Sequence, residues 1–308
     1  MTATITPTTT VPAPAPGAST LEELAAAHRP EQLVVLEALM DALTTSSAVT
    51  HLMVRGSLAA GTADRLSDLD LVVAVADNQL AEMLDLIDPL MDVLFGALLP
   101  GWPDNIVGNL GGTGRVYLLP HSGHLLQLDL YVCPASAAES LRQRTGARVL
   151  WQAPELAAAT KQEQQAATQA LAQLAARAPD CTALLVQAVV LHSMLRKRLL
   201  RGQLHIAFGL QHQLTETCRD IVRTVLVPHS AHHGWYHLSE IGRTSAGRAC
   251  LRDLDAAIRL PAVPTLEQVD QGLERIVTIA ERIAPVAVAA LADELAAYRA
   301  YQHQEVTQ

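Results

Sequence analysis

The stretch whose reading decides the fold is Val54-Arg55-Gly56-Ser57-Leu58-Ala59-Ala60-Gly61-Thr62-Ala63-Asp64-Arg65-Leu66-Ser67-Asp68-Leu69-Asp70-Leu71-Val72-Val73. It reads as a turn or short helix entered through Gly56-Ser57, then a strand that starts at Asp68. The two-residue period of a strand puts Asp68 and Asp70 on one face and sends Leu69 and Leu71 the other way, into a core. Two carboxylates side by side at the end of an apolar strand repel each other, and a divalent cation between them removes the repulsion. Gly56 has no Cβ, so the backbone N–H groups around it and Ser57 can come close to an anion. An anion cradle beside a carboxylate pair predicts a nucleoside triphosphate with magnesium.

Working outward, Val49 to Val54 reads as the strand that delivers the chain to Gly56. A helix from Pro30 to about Leu43, with Leu33, Leu36, Leu39 and Met40 on one face, precedes it. Downstream, Asp77 to Leu94 is amphipathic and helical, and Gly96 to Asp104 carries three breakers and reads as a loop. Ile106-Val107 opens a further strand. Gly111-Gly112-Thr113-Gly114 lacks the Lys-Ser or Lys-Thr of a Walker loop and reads as a turn or a rim. Arg115 to Leu119 and Leu125 to Val132, joined through His121-Ser122-Gly123, form a hairpin. Asp129 is the sole acid in its apolar strand, on one face with Gln127 and Tyr131. A lone buried charge is costly without a partner, so it belongs either to a site or to a strand edge capped by N–H groups.

Gly56-Ser57, the ten-residue gap and Ser67-Asp68-Leu69-Asp70-Leu71 resemble the signature of the polymerase-beta-like nucleotidyltransferase family. The nearest likeness is to the minimal antibiotic nucleotidyltransferases, which adenylylate aminoglycosides or lincosamides. The resemblance covers roughly residues 30–155 and, more loosely, the helical remainder. It implies an α+β architecture, with a small mixed-sheet nucleotidyltransferase domain followed by an all-helical bundle. It implies an enzyme that moves AMP from ATP to a small-molecule hydroxyl with two Mg2+ ions held by Asp68, Asp70 and Asp129; the scattered free cysteines separately suggest a cytoplasmic protein. Asp129 matches the third carboxylate that the family brings from a neighbouring strand. Gly56 and Ser57 would hold phosphates, with a cation from the helical domain, Lys197 or Arg201. A carboxylate of that domain often serves as base in the antibiotic enzymes; Glu216, Glu163 and Glu240 are the candidates, and none is preferred. Arg55 and Arg65 flank the motif and are as readily surface residues. The family includes dimers with shared sites, so a homodimer is open. A biosynthetic acceptor, a protein or RNA acceptor, and a non-catalytic regulatory module on the same fold are the alternatives.

The 308 residues suffice for two domains, and half are hydrophobic. The boundaries read as an uncharged Thr/Pro/Ala tail over 1–18, taken as disordered, a catalytic domain over 19–154 and a helical domain over 155–308. Ser19 and Glu22 suggest a capping box. Gly146 to Gln152 reads as the last strand, closed by Pro154. Helices are expected over Leu156 to Arg177, Thr182 to Arg201, Leu204 to Leu226, part of Leu238 to Leu260, Thr265 to Ile283 and Pro285 to Tyr301. The net charge is −9 with no polybasic tract, which speaks against a general nucleic-acid binder. The four cysteines form no C-x-x-C pair, so no thiolate zinc site is expected, and no apolar run is long enough for a membrane span. His205 and His212 on one helix read as structural or as pocket lining. His229, His232, His233 and His237 read as a solvated loop before a zinc site.

Overall fold

The computed structural model describes residues 30–305 apart from 65, 105, 107–109 and 156. The tail, the Ser19–Glu22 box, Arg65, Val107 and Leu156 lie outside the described residues. The architecture is α+β, a six-stranded mixed sheet followed by helices. Helix α1 (Pro30–Thr44) leads into β1 (Val49–Val54), the short α2 (Gly56–Ala60) and β2 (Leu69–Val75). A 3-10 turn at Asp77–Gln79 opens α3 (Leu80–Phe95). Next come β3 (Trp102–Asp104), β4 (Thr113–His121), β5 (His124–Pro134), α4 (Ala135–Thr145) and β6 (Arg148–Gln152). The sheet order is β3-β4-β5-β2-β1-β6, and β2 with β5 is its one parallel pair.

That parallel pair decides where the site lies. Its register sets Asp70 opposite Asp129, Leu69 opposite Leu128 and Leu71 opposite Leu130. The four leucines are fully buried under α1 and α3, together with Leu52, Val54 and Val73. The opposite face carries the two acids, and further along it Val72, Ala74, Tyr131 and Cys133 lie beneath Ala138 and Leu141 of α4. The β4–β5 turn is two residues long with positive φ at Ser122 (48°) and Gly123 (81°), the mirror-image turn whose twist matches a hairpin.

The helical part comprises α5 (Lys161–Ala175), α6 (Cys181–Leu200), α7 (Leu204–Leu226), α8 (Ser245–Ile258), α9 (Leu266–Ile283), α10 (Pro285–Ala289) and α11 (Ala292–Glu305). Helix α5 starts later than its apolar pattern suggested, at a reciprocal Thr160–Glu163 capping box. It packs through Ala167, Leu171 and Leu174 against the sheet's helix layer. Asp180 caps α6 by accepting from the Ala183 N–H at 2.8 Å. Pro285 to Tyr301 is two helices rather than one, α10 and α11. Two elements escaped the sequence reading. Trp102–Asp104 pairs with β4 as an edge strand where a loop was expected, and α4 occupies a stretch to which no element was assigned. Among the described residues no helix is long and apolar enough to cross a membrane.

Candidate active site

Gly56 sits at φ 67°, and a Cβ placed there would collide with Asp70 Oδ2. The glycine is thus needed for the backbone to lie directly on the carboxylate. The Arg55 N–H donates to the Asp70 carbonyl at 3.0 Å, which pins the turn to the strand. The Arg55 guanidinium stands 3.4 Å from Asp70 Oδ1 and over the Tyr131 ring at 5.9 Å. Tyr131 in turn accepts the Leu110 and Gly112 N–H groups at 3.0 and 3.1 Å, so the glycine-rich stretch before β4 is tied down beside the site.

Asp70 and Asp129 are neighbours on adjacent strands of one face, and the sheet spacing of about 5 Å leaves them little water to share. Burial, opposed by Arg55 and Arg198 and reinforced by Asp104, raises the Asp70 carboxyl above the ordinary carboxylate range. Burial and then the Asp70 charge push Asp129 up to about 7, against a hydrogen bond from Gln127. Asp104, at the end of β3, repels both and lies on the same face, opposite Gly114 and Tyr131 in register. Asp68 is buried and faces the end of α6. Lys197 Nζ lies on its Oδ1, and an Arg198 nitrogen is 3.4 Å from its Oδ2.

A polar cavity of about 300 Å³ opens among Ser57, Thr62, Ser67, Asp68, Asp70 and the guanidinium groups of Arg198 and Arg201. It is acid on the sheet side and cationic on the helix side. Arg201 pairs with Asp64 and donates to Ser67 Oγ at 2.9 Å. Burial, then Arg201, lowers the Arg198 guanidinium, which still carries its charge because guanidinium groups are not deprotonated in proteins.

No family model matches the chain, and no curated protein matches it. Among solved structures it is similar to a nucleotidyltransferase-like protein from Exiguobacterium sibiricum 255-15, at 12% identity over 85% of this chain and 87% of that one, with a TM-score of 0.20.

The fold brings Gly56, Ser57, Asp68, Asp70, Asp129, Lys197 and Arg201 to one end of the sheet. Lys197 does not line the cavity; it reaches Asp68 and Gln127. Arg198, which the sequence reading left aside, does line it. The three candidate bases are engaged elsewhere: Glu216 with Arg219, Glu163 in the α5 cap and Glu240 with Ser230. His205 and His212 are exposed on α7, and His212 stands 3.8 Å from Glu216. A larger depression of about 580 Å³, between Arg219, Trp235, Tyr236 and the edge-on and tilted rings of His232, His233 and His237, holds none of the sheet carboxylates. As the side chains stand, no three His, Cys, Asp or Glu groups among the described residues are placed to hold a metal ion, here or at the sheet.

A hard divalent cation nonetheless suits the sheet site. Asp70 and Asp129 offer oxygen donors whose proton affinities are raised by burial and by neighbouring carboxylates, with Arg55 answering only part of the charge. Asp68 lies next along the chain, with its charge answered by Lys197.

Proposed function

We propose that this protein is a nucleotidyltransferase that moves AMP from ATP to a hydroxyl of a small molecule. The observation that carries the reading is the seating of Gly56 on the Asp70 carboxylate, beside Asp129, at the wall of a cavity whose other wall is cationic. Those are the parts that an in-line displacement at phosphorus requires: acids for metal, cations for phosphate and fixed backbone between them.

Asp70 and Asp129, joined by Asp68 once Lys197 withdraws, would hold magnesium, two ions in the full arrangement. A cation held there would supply charge neutralisation for the displacement at phosphorus. Backbone N–H groups at Gly56 and Ser57, with the Ser57 hydroxyl, hold the β and γ phosphates. Arg198 and Arg201 balance the triphosphate charge from the helix side, while Lys197, on leaving Asp68, keeps its hold on Gln127. The acceptor oxygen bonds to the α phosphorus, the bond to the bridging oxygen breaks, and pyrophosphate leaves with that electron pair. Asp129 would receive the hydroxyl proton as general base. An antibiotic acceptor of the aminoglycoside or lincosamide kind follows from the motif's resemblance, and the acidic excess of the chain suits an amine-bearing one.

The test is transfer of α-labelled ATP, with magnesium, onto aminoglycosides, lincosamides and a cell lysate, with Asp70→Asn alongside. Label on a small molecule, reduced about a hundredfold or more in the variant, supports the reading. Label on protein or RNA would move the acceptor class. Failure of the wild type both to transfer label and to bind ATP with magnesium would sink the catalytic reading.

A further inference from the structure

Gln127 is buried on β5, two residues before Asp129 and therefore on the same face. Its Nε2 donates to Asp129 Oδ1 at 2.6 Å, and its Oε1 accepts from Lys197 Nζ at 2.6 Å. A glutamine amide alone does not reveal which end is oxygen. Here the neighbours decide. An ammonium can only donate, so the amide oxygen faces Lys197 and the amide nitrogen faces Asp129. Lys197 also lies on Asp68 Oδ1. One ammonium thus touches the first carboxylate of the site directly and the third through a single amide.

We propose that Gln127 is a positioning residue for Asp129, and that Lys197 sets the sense of its amide. This rests on the nucleotidyl-transfer reading. The amide hydrogen bond fixes the plane of the Asp129 carboxylate and assigns Oδ1 to the protein. An apolar side chain of the same length would free that plane to rotate. A glutamate would keep the acceptor for Lys197 but turn an oxygen toward Asp129, replacing attraction by repulsion. Groups that orient a metal-binding side chain commonly matter about 10–100-fold in metal affinity or activity.

The experiment compares wild type, Gln127→Met and Gln127→Glu in two assays. One measures kcat and KM for ATP with the acceptor found above. The other measures Mn2+ affinity without nucleotide, by electron paramagnetic resonance. Both variants keep the side-chain length, and circular dichroism melts check folding; if Gln127→Met fails to fold, Gln127→Glu carries the test. The expected result is a fall in kcat and a weakening of Mn2+ binding, each about 10–100-fold, with KM for ATP nearly unchanged. A variant that turns over and binds Mn2+ as the wild type does overturns the positioning role while leaving the reaction intact. If the wild type transfers no nucleotide, the reaction has failed separately. Mn2+ binding then decides Gln127 alone: weakened in the variants, it supports the role, and unchanged, it overturns it.

Discussion

Two glycines with nearly the same backbone separate conformation from contact. Gly56 and Gly61 bracket α2 at φ 67° and 70°, the left-handed region that costs other residues about 1–2 kcal/mol. A Cβ on Gly61 would meet nothing within 4 Å, whereas one on Gly56 would run into the Asp70 carboxylate. Gly61→Ala is therefore expected to lose a little stability and keep its activity. Gly56→Ala should lose comparable stability or more, and activity should fall about a hundredfold or more, because a small displacement of Asp70 disrupts alignment. Thermal midpoints and kcat for the pair are the measurements; equal activity in the two variants would refute the contact. At this scale the sequence was informative about type and silent about partner. The spacing of Gly56, Asp68 and Asp70 singled out residues that the fold brings together, but that Gly56 lies against Asp70 depends on the turn closing over β2. That Arg198 enters the cavity while Lys197 turns to Gln127 depends on the phase of α6 against the sheet.

Helix α6 shows how one element serves two neighbourhoods. Its end supplies Lys197, Arg198 and Arg201 to the sheet acids. On its other face, His192 and Arg196 point into the bundle: His192 Nε2 lies 3.1 Å from Asp270 Oδ1 and its Nδ1 lies 2.9 Å from the Tyr298 hydroxyl, while Arg196 reaches Asp270 at 2.5 Å. Burial lowers the proton affinity of His192. Burial alone would raise Asp270, but the hydrogen bonds from His192 and Arg196 outweigh it and the carboxyl is lowered. Both shifts act in one direction. Between the lowered His192 value and the ordinary histidine value near 6.5, the unfolded chain binds the extra proton, so stability falls as pH drops through that window. The Asp270 contribution goes at lower pH, as pH falls through its depressed value. The urea midpoint should thus be lower at pH 5.5 than at pH 7.5. In His192→Leu that difference should shrink, and stability at pH 7.5 should drop by about 1–3 kcal/mol because Tyr298 and Asp270 lose a buried partner. An unchanged pH difference in the variant would contradict the assignment. Elements were legible where one pattern dominated, as in β1, α6 and α7. Edge strand β3 was hidden by Pro103, which a sheet tolerates only at its rim. Helix α4 escaped because it buries only Ala138 and Leu141. The start of α5 was set by the Thr160 cap rather than by apolar residues.

At the scale of the molecule, the sequence suggests a boundary at Pro154, yet the apolar core crosses it. Leu99, Trp102, Val116 and Leu118 from the β3–β4 edge pack in one cluster with Leu184, Leu191 and Leu195 of α6. Trp102 is 2% exposed, and its indole N–H donates to Gln187 Oε1 at 3.3 Å. Such contacts join regions far apart in sequence and leave no periodic trace in either. A shared core of this kind should make sheet and helices unfold together. The three tryptophans, Trp102 in that core, Trp151 on β6 and Trp235 after α7, sample both parts, so fluorescence and far-ultraviolet circular dichroism should report coincident urea transitions. Trp102→Ala should cost about 3–5 kcal/mol. The same change bears on the site, because α6 carries the cations and the sheet carries the acids. Loosening the contact between them should raise KM for ATP before it lowers kcat, since the proposed phosphate site spans both parts while the Asp70–Asp129 pair lies within the sheet alone. A Trp102→Ala protein with separate transitions but unaltered KM would mean that the cations find the acids without help from this core.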